Sequence, residues 1–398
     1  MTDTLHNEKN AIFTKPFINI AVTNLLSNVA NGMFFVFPLF VLHVGGGKTD
    51  IGMLMGTTSL AAVLFRPWVS NLVDQFGRKK TLLFGCFMMA AVCLLHILFQ
   101  QEISSVYLIL LGLRLLFGVG WAMCFVGAFT LATDMIPQSR FNQGIGIFGI
   151  TNLIGLAIGP ILAEWLTRQM SFSAMFFVGA LVFIASACCA LPIVDRYVSP
   201  ARRDTGSFFS VLNNLSLLKH TLIALLLGFS LAAHAGFVTP FAAEMGLRVG
   251  LYFAAYSAMA ILSRFAGGRL ADNIGADRIL PYALLLTAIG FILLVFVDST
   301  PALILTGMVT GFGHGVTSPC VMSLALRSIS SQHRGKANGL FTGGFDTGIF
   351  AGSLILGVIG ERFGYDTLFI SAGASLVMAV IISRIWRTAE KVPVISAA

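Results

Sequence analysis

Long apolar runs separated by short polar links make up almost the whole chain. A run of about 20 mostly apolar residues is long enough to cross the hydrocarbon core of a bilayer as a helix. Links such as "QEISS" and "DSTP" are so short that neighbouring runs must form antiparallel hairpins. The pattern predicts an all-α membrane protein with twelve spans, at 17–42, 51–73, 81–100, 106–132, 143–164, 174–193, 219–244, 251–271, 279–297, 302–325, 338–360 and 367–387.

One link is long and charged, and it lies near the middle of the chain. It separates six spans from six, so we predict an N-terminal six-helix bundle at 1–194, a linker loop at 195–218 and a C-terminal bundle at 219–398. Of the 25 lysines and arginines, few fall in the links on one side of the predicted membrane: Lys48, Arg168, Arg248 and Arg362. Because cytoplasmic loops are rich in lysine and arginine, we predict that the linker and both termini are cytoplasmic.

The composition narrows the class of protein. The chain is 57% hydrophobic and 11% charged, which requires a lipid bilayer around most of it. The net charge of +8 belongs to the cytoplasmic loops, and no basic patch with interleaved aromatic residues indicates nucleic acid. The six cysteines lie in apolar runs without metal-ligand spacing. With no nucleophile–histidine–acid set and no phosphate loop, we expect neither an enzyme nor a cofactor, and we expect a monomer.

Two stretches of the chain are repeated. "LFRPWVSNLVDQFGRKK" (64–80) ends the second predicted span, and "LSRFAGGRLADNIGADR" (262–278) ends the eighth. A pair of glycines in the fifth span recurs in the eleventh. The matching residues are Arg66, Asp74, Gly77 and Lys80 with Arg264, Asp272, Gly275 and Arg278, and Gly155 and Gly159 with Gly348 and Gly352. Two homologous six-helix halves are typical of transporters whose halves rock about a central site.

The first of these stretches resembles a known family motif. "SNLVDQFGRKK" is similar to the Gly-x-Leu-Ala-Asp-Arg-x-Gly-Arg-Lys loop of the major facilitator superfamily, and "GRLADNIGADR" is similar to its second copy. The resemblance implies that Asp74, Arg78 and Asp134 form a latch across the cytoplasmic seam between the halves, with Asp272 at the repeated position. Gly77 allows the tight turn. The alternative is that the cations after Gly77 only set the topology.

A second resemblance concerns the direction of transport. "NLIGLAIGPILAEW" is similar to the helix-five motif of the drug–proton antiporters, and it keeps Gly155, Gly159 and Pro160. In the family this motif marks exporters. Glycines four residues apart also serve close helix contact in any membrane helix, which is the alternative interpretation.

The fourth span carries a buried arginine. "LILLGLRLLFGVGWA" resembles the family's helix-four motif and keeps Arg114, although Phe117 stands where glutamine is usual. The resemblance implies a role in proton coupling. A charged side chain in a span is costly and is retained for function or pairing.

Other polar residues inside spans are candidates for coupling or for the substrate cavity. Asp346 is the only carboxylate well inside a span, and a charge there must be neutralised or paired. We predict that it couples proton movement, with a structural acid as the alternative. His234 and His314 are further candidates for proton coupling, or else interior histidines. The predicted cavity residues are Asn24, Asn28, Asn31, Phe34, Phe35 and Arg114.

Four further charged residues lie near the ends of their predicted spans. Arg66 and Arg264 lie about two turns from the cytoplasmic ends of their spans, so we expect them to extend to the interface. Glu164 and Glu244 lie near the outer ends of their spans, where we expect ordinary solvated helix ends.

These observations favour one function and leave others open. We predict a proton-coupled antiporter of the inner membrane of a bacterium, which exports a small amphipathic organic molecule such as a drug or a metallophore-like metabolite. The expected partners are the substrate, protons and the lipid bilayer. The alternatives are a proton symporter that imports a small solute and a receptor on the same fold.

Overall fold

The protein is helical throughout the residues that the structure, a computed structural model, describes. These are residues 12–195, 212–327, 329 and 333–385, without the side chains of residues 74, 138, 142, 266–272, 334 and 335. The helices are α1 Lys15–Met33, α2 Phe37–His43, α3 Lys48–Phe76, α4 Arg78–Leu98, α5 Ile103–Met135, α6 Phe141–Gln169, α7 Phe172–Ala190, α8 Leu215–Gly236, α9 Val238–Glu244, α10 Val249–Ile274, α11 Ala276–Leu293, α12 Thr300–Arg327 and α13 Arg334–Ile385. Those residues include no β-strand, and the all-α prediction is confirmed.

Each predicted span corresponds to a helical part of the described chain, and the observed helices differ from the predicted spans at three places. The first span is interrupted between α1 and α2, and the seventh between α8 and α9. The eleventh and twelfth spans form the single helix α13, inside which Gly364 leaves the helical conformation at φ 82°. By length and apolar composition, eight helical segments of the described chain could cross a membrane. Helices α3, α10 and α12 are not among these eight segments, and twelve spans stay a prediction.

The helices pack as two groups that meet along two seams. We call α1–α7 the N half and α8–α13 the C half. Within the N half, α1 packs on α6 and α7, and α5 packs on α3 and α4; within the C half, α8 packs on α13, and α12 packs on α10 and α11. The halves touch where α3 meets α13, the first seam, and where α6 meets α10, the second seam.

The repeated glycines make equivalent contacts in the two halves. Gly155 and Gly159 on α6 lie against the backbone of α1, where a Cβ atom would collide with residues 28, 29 and 32. Gly348 and Gly352 on α13 lie in the same way against the α8 backbone at Leu225 and Phe229. Helices that approach this closely tolerate no side chain at the contact, which is the role of small residues in membrane helix packing.

The repeated turn also has one conformation in both halves. Gly77 joins α3 to α4 with φ 92°, and Gly275 joins α10 to α11 with φ 95°. An L-residue with a side chain is strained at such angles, so glycine permits the chain to reverse without an intervening loop. These turns lie at the predicted cytoplasmic end of the molecule.

Candidate functional site at the seams between the halves

The first seam is closed at the predicted outer end. Gly52 on α3 faces the Ser353 carbonyl of α13 so closely that a Cβ atom there would collide with it. One turn further along, a Cβ atom on Gly56 would lie 3.3 Å from Phe350. The residues of α13 that line this seam are spaced three or four apart, which places them on one face of the helix.

An ion pair joins the halves deeper in the first seam. The Arg66 guanidinium on α3 contacts the Asp346 carboxylate on α13, and the two side chains are 29% and 15% exposed. The prediction that Arg66 extends to the interface is therefore wrong, because its side chain reaches across to the other half. The partial exposure of both groups leaves the pair within reach of water or a ligand.

Both seams open beyond this level. On α13, a Cβ atom at Gly343 or Gly339 would meet nothing within 4 Å. The second seam follows the same course: Gly250 lies against Ile161 at the predicted outer end, whereas a Cβ atom at Gly146 would meet open space. The described parts of the two halves are therefore in contact at the predicted outer end and separate towards the predicted cytoplasmic end.

Carboxylates on one half cap helices of the other half at the closed end. Glu361 accepts hydrogen bonds from the backbone N–H groups of Lys48 (2.5 Å) and Thr49 (3.3 Å) at the start of α3. Glu164 accepts one from the Gly250 N–H (2.7 Å) at the start of α10 and pairs with Arg168 (3.0 Å). Helix N-termini stabilise negative charge through their free N–H groups and the helix dipole. We call these contacts the outer clamps.

The structure changes the interpretation of Glu164 but not that of Glu244. Glu164 is only 9% exposed, so the expectation of a solvated helix end is wrong for it. Glu244 is exposed, as expected for such an end. The second clamp is reinforced by Arg168, whose guanidinium donates to the Leu247 carbonyl across the seam at 2.9 Å.

Arg114 lies inside the N half among aromatic rings. Its side chain is 2% exposed and donates from Nε to the Leu54 carbonyl at 3.3 Å. The guanidinium carbon lies 4.5 Å from the centre of the Phe37 ring and 4.8 Å from that of Phe117. Its Nη1 has no hydrogen-bond partner, and no described carboxylate pairs with it. Cation–π contacts therefore replace a counter-ion at this position.

The asparagines of α1 bind α6. Asn24 Nδ2 donates to Thr151 Oγ1 (2.7 Å) and to Asn152 Oδ1 (2.5 Å), and Asn28 Nδ2 donates to the same Asn152 oxygen at 3.1 Å. Both are buried, while Asn31 is half-buried. The network links α1 to α6 beside the repeated glycines. Asn24 and Asn28 were predicted to line the substrate cavity, but in this conformation both are buried between these two helices.

The two predicted cavity phenylalanines have different surroundings. Phe34 is 4% exposed and packs on Phe117 and Phe176 in the interior of the N half. Phe35 lies at the boundary between the halves, with its ring centre 5.1 Å from that of Phe253. Its carbonyl accepts a hydrogen bond from Thr239 at 2.6 Å. Of the two, only Phe35 faces the C half.

The predicted proton-coupling histidines belong to an aromatic cluster of the C half. His234 Nδ1 lies 3.1 Å from the Tyr252 hydroxyl, and His314 Nδ1 lies 2.5 Å from the Tyr256 hydroxyl. The Nε2 atom of each histidine is buried without a partner. Each ring is thus held by one nitrogen and has one unused nitrogen.

The predicted cytoplasmic latch can be followed only in part. The Arg78 guanidinium contacts the Asp134 carboxylate, and this contact lies within the N half. Lys79 at the same turn donates its backbone N–H to Asp195 at 2.9 Å. The side chains of Asp74 and Asp272 lie outside the described residues. The latch across the seam stays a prediction.

Comparison with known proteins identifies the family. The family model described as Major Facilitator Superfamily matches residues 20–248 and again 221–397. The chain belongs to this superfamily. The two matches cover the N half and the C half in turn, in agreement with the repeats. The chain is a multi-pass membrane transporter, not an enzyme, and it resembles the superfamily's drug exporters.

Individual relatives match over most of their length. The chain is 21% identical to the staphylopine export protein of Staphylococcus aureus, over 92% of this chain and 95% of that protein. It is 26% identical to the multidrug resistance protein MdtG of Citrobacter koseri, over 86% and 87%. The crystal structure of the nucleoside transporter NupG superposes with a TM-score of 0.73 at 14% identity, over 96% of this chain and all of that one. That likeness shows the superfamily fold.

Several residues of the site gave no individual signal in the sequence. Glu361 and Arg168 look like ordinary charges at span ends, and Asn152 looks like a polar residue in a glycine-rich helix. Gly52 and Gly250 are separated by the same interval as the repeated arginines, so an alignment of the two halves could have found the starts of α3 and α10. The carboxylates that cap them could not be found in that way, since they occupy different repeat positions.

Proposed function

We propose that this transporter is a proton-coupled antiporter that exports a small amphipathic organic molecule across the cytoplasmic membrane. The proposal takes the protein as twelve spans with both termini cytoplasmic, in bundles at 1–194 and 219–398 joined by the linker at 195–218. In that orientation the halves are closed outside and open to the cytoplasm. The observation that carries the proposal is the Arg66–Asp346 pair, which crosses the first seam at the level where it opens.

Protonation of Asp346 removes the negative partner of Arg66. A buried pair is held by mutual attraction, and removal of one charge leaves the other uncompensated in an apolar environment. The Arg66–Asp346 contact therefore favours the present arrangement of the first seam, and its loss favours movement of α3 relative to α13. A proton then shifts the equilibrium between two conformations by its different affinity for each. This is the coupling step that antiport needs.

The substrate lies between the halves in this proposal. Phe35 presents an aromatic surface across the boundary, and the Arg66–Asp346 pair supplies charged groups at the level where the first seam opens. Such a mixture suits an amphipathic molecule better than an ion or a sugar. The names of the relatives, a staphylopine exporter and a multidrug resistance protein, agree with export of an amphipathic compound.

The alternative is import by proton symport, and the same ion pair would serve it. The structural neighbour NupG is named as a nucleoside transporter, which shows only that the fold is shared. Export is favoured by the motif at Gly155, Gly159 and Pro160 on α6. The same glycines also form the close contact between α6 and α1, which is the role that the alternative interpretation gives them.

The direction of transport can be measured in everted membrane vesicles. Cells with and without the protein are first compared for resistance to a panel of amphipathic drugs and for secreted metabolites. The compound so identified should accumulate in everted vesicles that are acid inside, and collapse of the pH gradient should stop the accumulation. Uptake of that compound into whole cells that depends on this protein would instead support symport and contradict the proposal.

A further inference from the structure

The two seams carry homologous arginines with different surroundings. Arg66 in the first seam contacts Asp346. Arg264 occupies the repeated position in the second seam, and the residue of α6 that corresponds to Asp346 is Leu153. No described residue forms a hydrogen bond or an ion pair with Arg264, and its Nε is buried without a partner. The described part of the second seam therefore supplies a positive charge without a counter-charge.

A second unpaired group lies close to Arg264. The Tyr256 hydroxyl, on the same helix, bonds to His314 Nδ1 at 2.5 Å, and His314 Nε2 is buried without a partner. Because helical side chains point towards the helix N-terminus, Arg264 reaches back towards Tyr256. The charge of Arg264 acts on both Tyr256 and His314. When the Tyr256 hydroxyl donates to Nδ1, the imidazole proton resides on Nε2 and is a free donor.

The opposite wall of the seam leaves room beside these donors. Gly149 on α6 faces the guanidinium, and a Cβ atom there would lie 2.9 Å from Arg264 Nη1. One turn nearer the predicted cytoplasmic end, a Cβ atom at Gly146 would meet open space. Two residues without side chains thus line the approach to Arg264. Arg264 and His314 are half-buried as whole residues, although Arg264 Nε and His314 Nε2 are themselves buried.

Aromatic rings lie on the other side of the donors. The Tyr256 ring centre is 4.2 Å from that of His234, and Phe253 and Phe35 continue the cluster across the boundary between the halves. An apolar or aromatic group of a ligand would be accommodated there, next to the unpaired charge.

We propose that Arg264 and His314 form a subsite for the anionic group of an organic carboxylate, with the aromatic cluster holding its apolar part. The inference rests on the proposed transport function and deepens it by naming the substrate class. A carboxylate offers two oxygens that match the planar donors of a guanidinium. It also provides the counter-charge that a buried arginine requires. In the first seam the ionised Asp346 carboxylate of the protein itself does so, whereas in the second seam the substrate does so when it is bound.

The test is equilibrium binding to the purified full-length protein in detergent. The probe is 2-naphthoate, an aromatic carboxylate, and its neutral counterpart is 2-naphthamide. The wild type should bind the carboxylate about tenfold or more tightly than the amide, the difference expected for a charge-assisted hydrogen bond. Arg264→Gln should remove this preference, and Arg264→Lys should keep part of it. Arg327→Gln removes an equal charge from an exposed side chain that pairs with Asp277 within the C half and should leave the preference unchanged.

The outcomes separate the subsite from the transport mechanism. Equal dissociation constants for the two probes in the wild type, or a preference that survives in Arg264→Gln, would overturn the subsite. Thermal unfolding without probe shows whether Arg264→Gln is folded; should it unfold, a reduced preference in the folded Arg264→Lys variant replaces it as the supporting result. Binding in detergent needs no proton gradient. A preference for the carboxylate therefore stands even if export fails, and proton-driven export without that preference contradicts the subsite alone.

Discussion

Loss of an outer clamp should shift the protein towards an outward-open state. Glu164→Gln keeps the size of the side chain but removes the charge that caps α10 and pairs with Arg168. The interaction of a carboxylate with a helix N-terminus and a charge-assisted hydrogen bond together contribute ~1–2 kcal/mol. That is about a 5- to 30-fold change in a conformational equilibrium. Because Glu361 is exposed, its contact is screened by solvent and Glu361→Gln should have a smaller effect.

Distances between spin labels at the predicted outer end measure this shift. Labels at Met170 and Met245, both exposed and on opposite sides of the second seam, report its separation once Cys188 and Cys189 are replaced by serine. The wild type should give mainly the short distance, and Glu164→Gln should populate a longer one.

The matched control is Glu244→Gln. This residue is an exposed acid at the same end, and the described chain shows no hydrogen bond from it to the other half. The variant should keep the wild-type distribution. If Glu164→Gln and Glu244→Gln give the same distance distribution, the clamp does not hold the outer end closed and the reasoning is refuted.

Three further predictions concern other parts of the site. Gly159→Leu should greatly reduce folded protein in the membrane because a side chain there collides with α1, while Gly112→Leu, where a Cβ atom meets nothing within 4 Å, should be tolerated; size-exclusion chromatography distinguishes them. Arg114→Gln should lose its cation–π contacts within the N half and lower the temperature of thermal unfolding, and an unchanged unfolding temperature would contradict this. Asp74→Asn should lower transport without loss of folded protein and should increase thiol labelling at the cytoplasmic end; wild-type turnover would argue against the latch.

The sequence predicted those features that depend on local pattern. Apolar runs gave the helices to within a few residues, since length and hydropathy decide whether a segment can cross lipid. The repeat placed Gly155 and Gly348 at equivalent positions, and both contact a helix of their own half. Gly77 was predicted to allow a tight turn, and both it and its repeat Gly275 have positive φ.

The contacts between the halves could not be predicted in this way. Arg66 and Asp346 are 280 residues apart, and their pairing depends on how two separately folded bundles dock. Glu164 was interpreted from its position at a span end, which does not reveal the helix N-terminus opposite. A charge in a membrane protein is interpreted by its depth alone when its neighbour is unknown, and that led to wrong expectations for Arg66 and Glu164.

The central claim is that a proton acts on the pair of Arg66 and Asp346, and one measurement tests it most directly. Asp346→Asn copies the protonated carboxyl permanently, so the pair with Arg66 cannot re-form its charge. Reconstituted into liposomes, the variant should lose transport driven by a pH gradient but still exchange labelled for unlabelled substrate, which needs no proton cycle. Gradient-driven transport at the wild-type rate and with the wild-type pH dependence would contradict the claim and make Asp346 a structural acid.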